Sequence, residues 1–245
     1  MWRYLLADLH LHTVLSPCAE VEMIPPLIVQ RARELGLEVI AVTDHNAMLN
    51  APAVQEAAGA SLTVLPGMEV MSREEVHLVC LFDHVSQAAE LQERVWEALP
   101  PGENNEEYFG AQYVVDSTGA YLRTETRLLS AATTLSVDDV AMIVHGLGGI
   151  VVAAHVDRPW ASLIANLGFV PRGLALAGLD LSRRASLEEV ERRLPQTVGW
   201  GKVVSGDAHR LEEMTARTML KVQEPTVAEL ALALKAMSGR RVQID

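Results

Sequence analysis

Histidine is the residue type whose placement in this sequence most strongly suggests chemistry. The chain has eight histidines among its 245 residues. Six lie within or directly after short apolar runs typical of β-strands: His10, His12, His45, His77, His155 and His209. In parallel α/β folds the carboxyl ends of the strands form the face that carries functional sites. The placement predicts that these imidazoles meet at one site, although His77 opens its strand and fits less well.

The spacing of the polar residues gives a second indication. His10 and His12 are two residues apart on an extended segment, so their rings point to one face. Asp207 and His209 repeat this spacing, and Glu69 follows another apolar run. Nitrogen and oxygen donors of this kind suit Zn, Mn or Fe. A single histidine at a strand end is more often a structural residue, but the whole set favours a metal centre.

Three further residues are predicted to lie outside this site. His84 shows no comparable placement, and His145 lies on an amphipathic stretch as an ordinary helix residue. Cys80 follows His77 on the same predicted strand and faces the other side of it. We expect Cys80 to pack as a small hydrophobic residue.

The apolar runs alternate with amphipathic stretches. The predicted strands are residues 5–9, 39–43, 62–66, 76–82, 150–154, 174–179, 202–205 and 219–222. The predicted helices are residues 24–35, 86–99, 136–147, 186–194 and 226–237. Repeated βα units indicate a parallel sheet covered by helices. Seven or more units in a chain of this length favour a barrel over an open sheet.

One polar, turn-rich region interrupts this alternation, at residues 100–133. Residues 112–116 and 120–124 could form a hairpin around Ser117-Thr-Gly119. A connection this long in a compact domain is either functional or an insertion. We expect a single domain over residues 1–245, with an insertion at about 100–133 that could cover the site. The alternative is an excursion without a role.

Composition narrows the classes of partner. Lys and Arg total 20 against 32 Asp and Glu, a formal net charge of −12. Binding to long nucleic acid depends on basic residues that neutralise phosphates, so we expect a small phosphorylated substrate and no long nucleic acid. Two cysteines, no apolar run of membrane-spanning length and no secretory signal predict a cytoplasmic protein without membrane contact.

Five motifs in order resemble those of the PHP (polymerase and histidinol phosphatase) family of metal-dependent phosphoesterases. They are Asp8-Leu-His-Leu-His-Thr-Val-Leu-Ser16, Val42-Thr-Asp-His-Asn46, Glu69 with His77, Ala153-Ala-His155 and Gly206-Asp-Ala-His209. The resemblance runs from Asp8 to about His209. It implies a distorted TIM-like (β/α)7 barrel, with two or three divalent metal ions, Zn, Mn or Fe, at the carboxyl ends of the strands.

The resemblance also implies ligand sets. The first metal would be held by His10, His12, Glu69 and Asp207. Glu69 would bridge to a second metal held by His77 and His155, and a third would be held by His45 and His209 with one more ligand. Family members often supply that ligand as Asp in Ser-Asp-Gly, or as a His one position later, but this chain reads Ser16-Pro-Cys-Ala-Glu20. Cys18 falls at the latter position; the alternatives are Glu20 or a weak or empty third site.

Further residues near the motifs are candidates for catalysis. Asp8 and Asp44 could orient a ligand or a water molecule, or could be plain strand-end acids. Arg158, Arg183 and Arg210 could bind phosphate oxygens or be solvated surface residues, whereas Arg184 is expected at the surface. Trp160 could stack on a base, but core packing is the expected role for a lone tryptophan.

The predicted activity is hydrolysis of a small phosphomonoester or nucleotide by a hydroxide that bridges the metals. One alternative is an amidohydrolase-like enzyme that cleaves a C–N or lactone bond. Such barrels usually carry a bridging lysine at mid-barrel, and the mid-chain strands here contain none. The others are a non-enzymatic metal-binding regulatory module and a proofreading nuclease of the kind found beside DNA polymerases.

Overall fold

Strands and helices alternate along most of the chain in the computed structural model, which describes residues 1–171 and 173–245. The strands are β1 (Arg3–Leu11), β2 (Val39–Val42), β3 (Thr63–Met71), β4 (His77–Leu81), β5 (Tyr113–Val115), β6 (Tyr121–Thr124), β7 (Ile150–Ala153), β8 (Gly178–Ser182), β9 (Lys202–Ser205), β10 (Thr218–Val222) and β11 (Arg241–Ile244). The helices are α1 (Pro25–Glu34), α2 (Ala51–Ala58), α3 (Val85–Glu97), α4 (Glu106–Phe109), α5 (Val137–Gly146), α6 (Leu163–Leu167), α7 (Leu187–Arg193) and α8 (Val227–Leu234).

The main sheet curves into a nearly closed barrel. Its strand order is β11-β10-β1-β2-β3-β4-β7-β8-β9. Beyond the end of β9, the chain returns to β1: the Ala208 amide donates to the His10 carbonyl at 3.3 Å, and the Ala208 carbonyl accepts from the His12 amide at 2.9 Å. This mixed α/β barrel confirms the predicted fold class.

The direction of β4 differs from the predicted parallel sheet. Pairs β1–β2, β2–β3, β7–β8 and β8–β9 are parallel, but β4 is antiparallel to both β3 and β7. A parallel crossover needs a dozen or more residues, and residues 72–76 are too few, so β3 and β4 form a hairpin. Met71 therefore pairs with His77, which places the start of β4 at the rim where the other strands end.

Apolar side chains fill the barrel beneath that rim. Leu9, Val79, Leu81, Val152 and Val203 line the interior and are nearly or fully buried. Helix α8 packs on the strands as part of the same hydrophobic cluster. A second cluster lies between the strands and the outer helices and contains Cys80, which is fully buried as expected. Burial on both faces explains why the central strands read as continuous apolar runs.

Several predicted boundaries shift in the structure. The strand predicted at 174–179 lies instead at Gly178–Ser182, and the strand predicted at 62–66 continues to Met71. Helices α2, α4 and α6 and strand β11 were not predicted, since each spans eight residues or fewer and carries a weak periodic signal. Strand β10 is antiparallel to β1.

The region 100–133 contains the hairpin of β5 and β6, as predicted. It is held against the loops that follow β1 and β2. The Tyr113 amide donates to the Val14 carbonyl at 2.9 Å, and Asn46 Nδ2 donates to the carbonyls of Leu129 at 2.7 Å and Ala131 at 2.9 Å. Gly110 leaves no room for a side chain against Pro17. The insertion therefore lies beside the loop that carries Cys18.

Among the described residues, no helix is both long enough and apolar enough to cross a membrane.

Gly201 packs tightly against α8 at the end of the barrel opposite the rim, and this contact gives a test of stability. A Cβ on Gly201 would overlap the carbonyl oxygen of Leu234 in α8. We expect Gly201→Ala to destabilise the protein by about 1–3 kcal/mol through overpacking, lowering the melting temperature in a calorimetric scan. Gly146→Ala is the matched control, because it adds a methyl group into open space and should leave the melting temperature unchanged or higher. Equal melting temperatures for the two variants would contradict this account of the contact.

Candidate metal centre

A buried carboxylate, Glu69, lies at the centre of the histidines. Its Oε1 is 2.9 Å from His77 Nδ1 and 3.1 Å from both His10 Nε2 and His155 Nε2. Its Oε2 is 3.0 Å from His45 Nδ1 and 3.6 Å from His12 Nε2. The structure therefore brings together donors from β1, β3, β4 and the ends of β2 and β7. His77 reaches the group because β4 runs antiparallel and starts at this rim.

Asp207 and His209 complete the group from the end of β9. Asp207 Oδ1 lies 3.1 Å from His12 Nε2 and 3.3 Å from His10 Nε2. The His209 ring stacks on His12 with 4.1 Å between centroids. Three groups of donors have the spacing of a metal site: His10, His12, Glu69 and Asp207; His12, His45 and His209; and His45, Glu69 and His77. The first of these is the predicted first ligand set.

Two of the predicted ligands have unusual backbone conformations. His155 has φ of +30° and Asp207 has φ of +44°. Residues other than glycine rarely adopt positive φ, and such strain persists where the surroundings fix it. At Asp207 the fixing residue is Asp8, whose carboxylate accepts from the amides of Gly206 and Thr215, each at 2.9 Å. The loop is thus tied to β1.

Asp8 acts on the site through this loop. It is fully buried, and burial raises the pKa of its carboxyl to about 7 despite the hydrogen bonds from Gly206 and Thr215. Gly206 is required here, because a Cβ would lie 2.8 Å from Asp8 Oδ2. Its hydrogen bonds make Asp8 a positioning residue for Asp207 rather than a group that faces the reacting atoms.

Asp44 also positions other residues. Its Oδ1 accepts from the Thr13 amide at 2.7 Å and from the Ser16 hydroxyl at 2.8 Å. Ser16 Oγ lies 2.9 Å from His12 Nδ1. Because Ser16 donates to Asp44, its oxygen can accept from His12 Nδ1–H, which leaves the Nε2 lone pair aimed at the cluster. Burial raises the pKa of Asp44, and the hydrogen bonds of Thr13 and Ser16 oppose that rise.

Asp180 is a site residue that the sequence analysis missed. It lies in β8, nearly buried, with Oδ2 3.1 Å from His10 Nδ1. This contact orients the His10 ring so that Nε2 faces Glu69 and Asp207. The available signal was an acid inside an apolar run, Gly178-Leu-Asp-Leu181, and the predicted strand ended one residue before it.

The donor group of His12, His45 and His209 has a thiol beside it. Cys18 Sγ lies 3.3 Å from His45 Nε2, whereas the exposed Glu20 pairs with Arg210, with 3.0 Å between Nε and Oε1. The structure therefore places Cys18, and not Glu20, next to His45. Cys18 is exposed as a residue, but partial desolvation of its thiol raises the pKa, and hydrogen bonds from His209 and His45 outweigh that rise and bring the pKa to about 6.

The three candidate arginines have different surroundings. Arg158 Nη1 contacts Asp207 Oδ2, so this guanidinium reaches the cluster. Arg183 Nη1 pairs with Glu213 Oε1 at 2.9 Å, and Arg210 pairs with Glu20. Arg183 and Arg210 thus lie on the rim with carboxylate partners. His145, as expected, is on α5 and contacts the Ala175 carbonyl, and His84 caps α3.

The donor set fits divalent metal ions. Within the described structure, His77 Nε2 and His155 Nδ1 are buried without a hydrogen-bond partner. Such atoms are costly unless something binds them. Although burial raises the pKa of Glu69 and Asp207, the surrounding histidines hold both carboxyl pKa values well below their usual range. Ionised carboxylates among imidazoles suit Zn, Mn or Fe.

Comparison with known proteins gives both a family match and structural relatives. The PHP domain family matches residues 8–157. A curated relative, the 5′-3′ exoribonuclease Rnm of Salmonella typhimurium, is 34% identical over 80 residues, which cover 30% of this chain and 26% of that protein. The matched region thus spans about a quarter of the length of this relative.

Solved structures resemble the whole fold. The lesion-specific endonuclease EndoQ of Pyrococcus furiosus matches with a TM-score of 0.69 and 20% identity, covering 98% of this chain and 58% of the endonuclease. A protein of Bifidobacterium adolescentis named as a metal-dependent phosphoesterase matches with a TM-score of 0.53 and 22% identity, over 83% of this chain and 87% of that one. At these identities the likeness concerns the fold.

These relatives contradict the prediction that net charge excludes long nucleic acid. The exoribonuclease and the endonuclease are named for action on nucleic acid, and endonuclease Q has been seen with a 27-mer duplex. The inference was wrong because net charge sums over the whole surface, whereas phosphates meet only local groups.

A spectroscopic test addresses the thiol. We expect Cys18→Ser to lose about one metal equivalent, and the cobalt-substituted variant to lose the thiolate-to-cobalt charge-transfer absorption, because a hydroxyl replaces a soft ligand. The measurements are elemental analysis and the absorption spectrum. Cys80→Ala is the control and should keep the absorption, since Cys80 is in the core. An unchanged spectrum in Cys18→Ser would show that Cys18 is not a ligand.

Asp180 gives a second test, on metal affinity. We expect Asp180→Asn to weaken the tightest metal site about 10- to 100-fold, since loss of the carboxylate leaves His10 less basic and less well oriented. Competition with a chromophoric chelator measures this. The control is Asp116→Asn, because Asp116 accepts from Thr118 in the turn of the hairpin. An affinity equal to that of the control would overturn the role of Asp180.

Proposed function

The chain belongs to the PHP domain family, and on that premise we propose that it is a metal-dependent phosphoesterase that cleaves phosphodiester bonds in nucleic acid. One observation carries the proposal: His10, His12, Glu69 and Asp207 form a buried donor group, and Arg158 lies directly beside it. A metal-binding group with an adjacent guanidinium matches the charge of a phosphate ester.

We assign three metal positions, of which the first is a donor group of the structure and the other two follow the ligand sets that the family resemblance implies. We assign the first to His10, His12, Glu69 and Asp207, and the second to His77 and His155 with Glu69 shared between the two. We assign the third to His45 and His209 with Cys18. Divalent ions held there would lower the pKa of water toward neutrality and neutralise charge on phosphoryl oxygens.

Arg158 is the chain's own group for the substrate. Its side chain is partly exposed and its guanidinium is held at the mouth of the cluster by Asp207. A planar guanidinium can give two parallel hydrogen bonds to a phosphate, which fixes the orientation of the ester. Arg183 and Arg210 pair with Glu213 and Glu20, which lie outside the donor groups, so they are assigned no contact with the reacting phosphate.

The remaining polar residues keep the ligands in place. Asp180 orients His10, Ser16 with Asp44 orients His12, and Asp8 fixes the loop of Asp207. Rings and carboxylates fixed before the substrate arrives require little reorganisation during the reaction.

The relatives favour nucleic acid over a small phosphomonoester as the substrate. One relative is named as an exoribonuclease, and a lesion-specific endonuclease shares nearly the whole fold. Both proteins are much longer than the regions matched, so their specificities also depend on parts outside the match. A small phosphomonoester or a free nucleotide, as the sequence predicted, is the outcome that product analysis would separate from this proposal.

The amidohydrolase alternative is less well supported. The chain has three lysines, and two of them are Lys221, which lies over the Trp2 ring, and Lys235, which caps the end of α8. Lys202 is nearly buried, but it lies at the start of β9 at the other end of the barrel, where Nζ bonds Glu191 Oε1 at 2.7 Å. A bridging lysine of the kind usual in those barrels has no counterpart at the cluster.

The activity is tested with the metal-loaded protein and a panel of substrates. We expect hydrolysis of single-stranded RNA or DNA oligonucleotides in the presence of Mn, Zn or Fe, followed by chromatography of the products. Arg158→Gln should lower kcat/KM about 10²- to 10³-fold with its metal content intact, because one group that stabilises the developing charge is lost. His10→Ala should lose both metal and turnover.

The matched control is Arg184→Gln, since Arg184 is exposed and follows Arg183 directly. It should behave like the wild type. Hydrolysis of amides or lactones without any phosphate ester would overturn the proposal. Cleavage of phosphomonoesters alone would overturn nucleic acid as the substrate.

A further inference from the structure

Trp160 is on the surface and not in the core, contrary to the expectation for a lone tryptophan. It is 65% exposed and lies in the connection between β7 and α6, which also carries His155 and Arg158. Single exposed apolar residues are common. The position of Trp160 is notable because the residues on both sides of it contact the metal centre.

The connection that carries Trp160 is fixed at several points. The Val156 amide donates to the Asp180 carbonyl at 2.9 Å, and Arg158 contacts Asp207. One residue beyond Trp160, the Ala161 carbonyl accepts from the His77 amide at 3.1 Å. Ser162 Oγ donates to the Arg158 carbonyl at 2.8 Å. The chain on each side of Trp160 is therefore held to residues of the metal centre, Asp207 and His77, or to Asp180, which orients His10.

This arrangement sets the distance between the indole and the phosphate-binding group. Trp160 is two residues from Arg158, so their Cα atoms are at most about 7 Å apart. A phosphate bound by Arg158 carries its nucleoside within reach of a ring at that distance. Because the backbone on both sides of Trp160 is fixed beforehand, less entropy is lost when the loop binds a ligand.

We propose that Trp160 is a nucleobase-stacking residue that holds the base next to the phosphate bound by Arg158. The inference rests on the proposed function and names the part of the substrate that the site recognises: an unpaired base at the end of a strand. Every base has a π-face, so stacking would hold the strand with little sequence preference.

The aromatic pair exposed in α4 is a weaker candidate. Tyr108 and Phe109 in α4 lie beside the Cys18 loop, with 4.8 Å between their ring centroids. Glu106 and Glu107 share that short helix, and two carboxylates there repel a phosphate backbone. The Trp160 connection instead offers the guanidinium of Arg158.

Binding of fluorescently labelled, hydrolysis-resistant phosphorothioate oligonucleotides tests the proposal with the metal-loaded protein. We expect Trp160→Ala to weaken binding about 5- to 150-fold, the range for loss of one base–aromatic stack. Trp160→Phe should recover most of the affinity. The control is Trp2→Ala, because Trp2 precedes β1 at the opposite end of the barrel and packs beneath Lys221 and Arg240. It should bind like the wild type.

A second arm uses the same oligonucleotides with abasic terminal residues. If Trp160 stacks on a base, the wild type and Trp160→Ala should bind these strands equally. Equal losses on normal and abasic strands would overturn the proposal, because the tryptophan would then act through the loop. Binding of normal strands by Trp160→Ala at wild-type strength would overturn it as well. Competition by adenosine monophosphate or ribose phosphate against the labelled strand distinguishes a site for a strand from a site for a mononucleotide. Tighter binding of the free nucleotide than of the strand would exclude a strand end as the ligand.

The two proposals fail in different ways. If the wild type cleaves no nucleic acid and binds none, the proposed function fails and the stacking role falls with it. If the wild type cleaves and binds strands and Trp160→Ala does the same, only the stacking role fails. Matching melting temperatures for wild type and variant confirm that an exposed ring was removed without unfolding the chain.

Discussion

A carboxylate that is almost wholly removed from water determines much of this structure. Glu69 lies near the end of β3, and imidazole nitrogens of five histidines are within 3.6 Å of its oxygens: His10, His12, His45, His77 and His155. A buried ionised carboxylate is tolerated only when it is paired or bound to metal. The donors that satisfy it come from distant parts of the chain, so the barrel must close to bring them together.

Other buried acids and a serine hold those donors in position. Asp8, Asp44 and Asp180 are nearly or fully buried. Asp8 accepts from backbone amides, Asp44 from an amide and hydroxyls, and Asp180 contacts one histidine through Oδ2. The hydrogen bond from Ser16 links Asp44 to His12. Rigid support of this kind accounts for the positive φ of Asp207, which the loop geometry alone would not favour. The acids closest to the cluster are thus divided between binding cations and positioning the residues that do.

The charge of −12 has a different meaning in the light of this arrangement. Several of the 32 acidic residues are inside the barrel rim, where the histidines offset them and divalent metal ions would do so further. In the proposed function, the groups that a substrate would meet at the mouth include Arg158 and Trp160. A guanidinium for phosphate and a ring for a base match a nucleotide unit, and whole-chain charge says nothing about that local match.

Much of the candidate site follows from sequence alone. His10, His12, Asp207 and His209 could be placed at strand ends because period-two spacing and apolar runs are local properties. The resemblance to the family motifs identified Glu69 and His155 as metal ligands. The sequence named Cys18 as a candidate ligand, with Glu20 as the alternative. Only the structure favoured Cys18, because its sulfur lies close to His45.

Tertiary structure decided the features that depend on how distant segments pair. The antiparallel direction of β4 explains why His77 lies at the rim. In a hairpin, β4 starts at the rim where β3 ends, whereas a crossover helix would have made β4 start at the opposite end of the barrel. Asp180 belongs to the site only because β8 begins four residues later than its apolar run predicts, so that its carboxylate meets a ring from β1. Trp160 is exposed on a loop that backbone contacts on both sides of it hold at the metal centre. Local patterns encode which residues can form strands and ligands, whereas strand direction, register and loop closure arise from contacts between residues far apart in sequence.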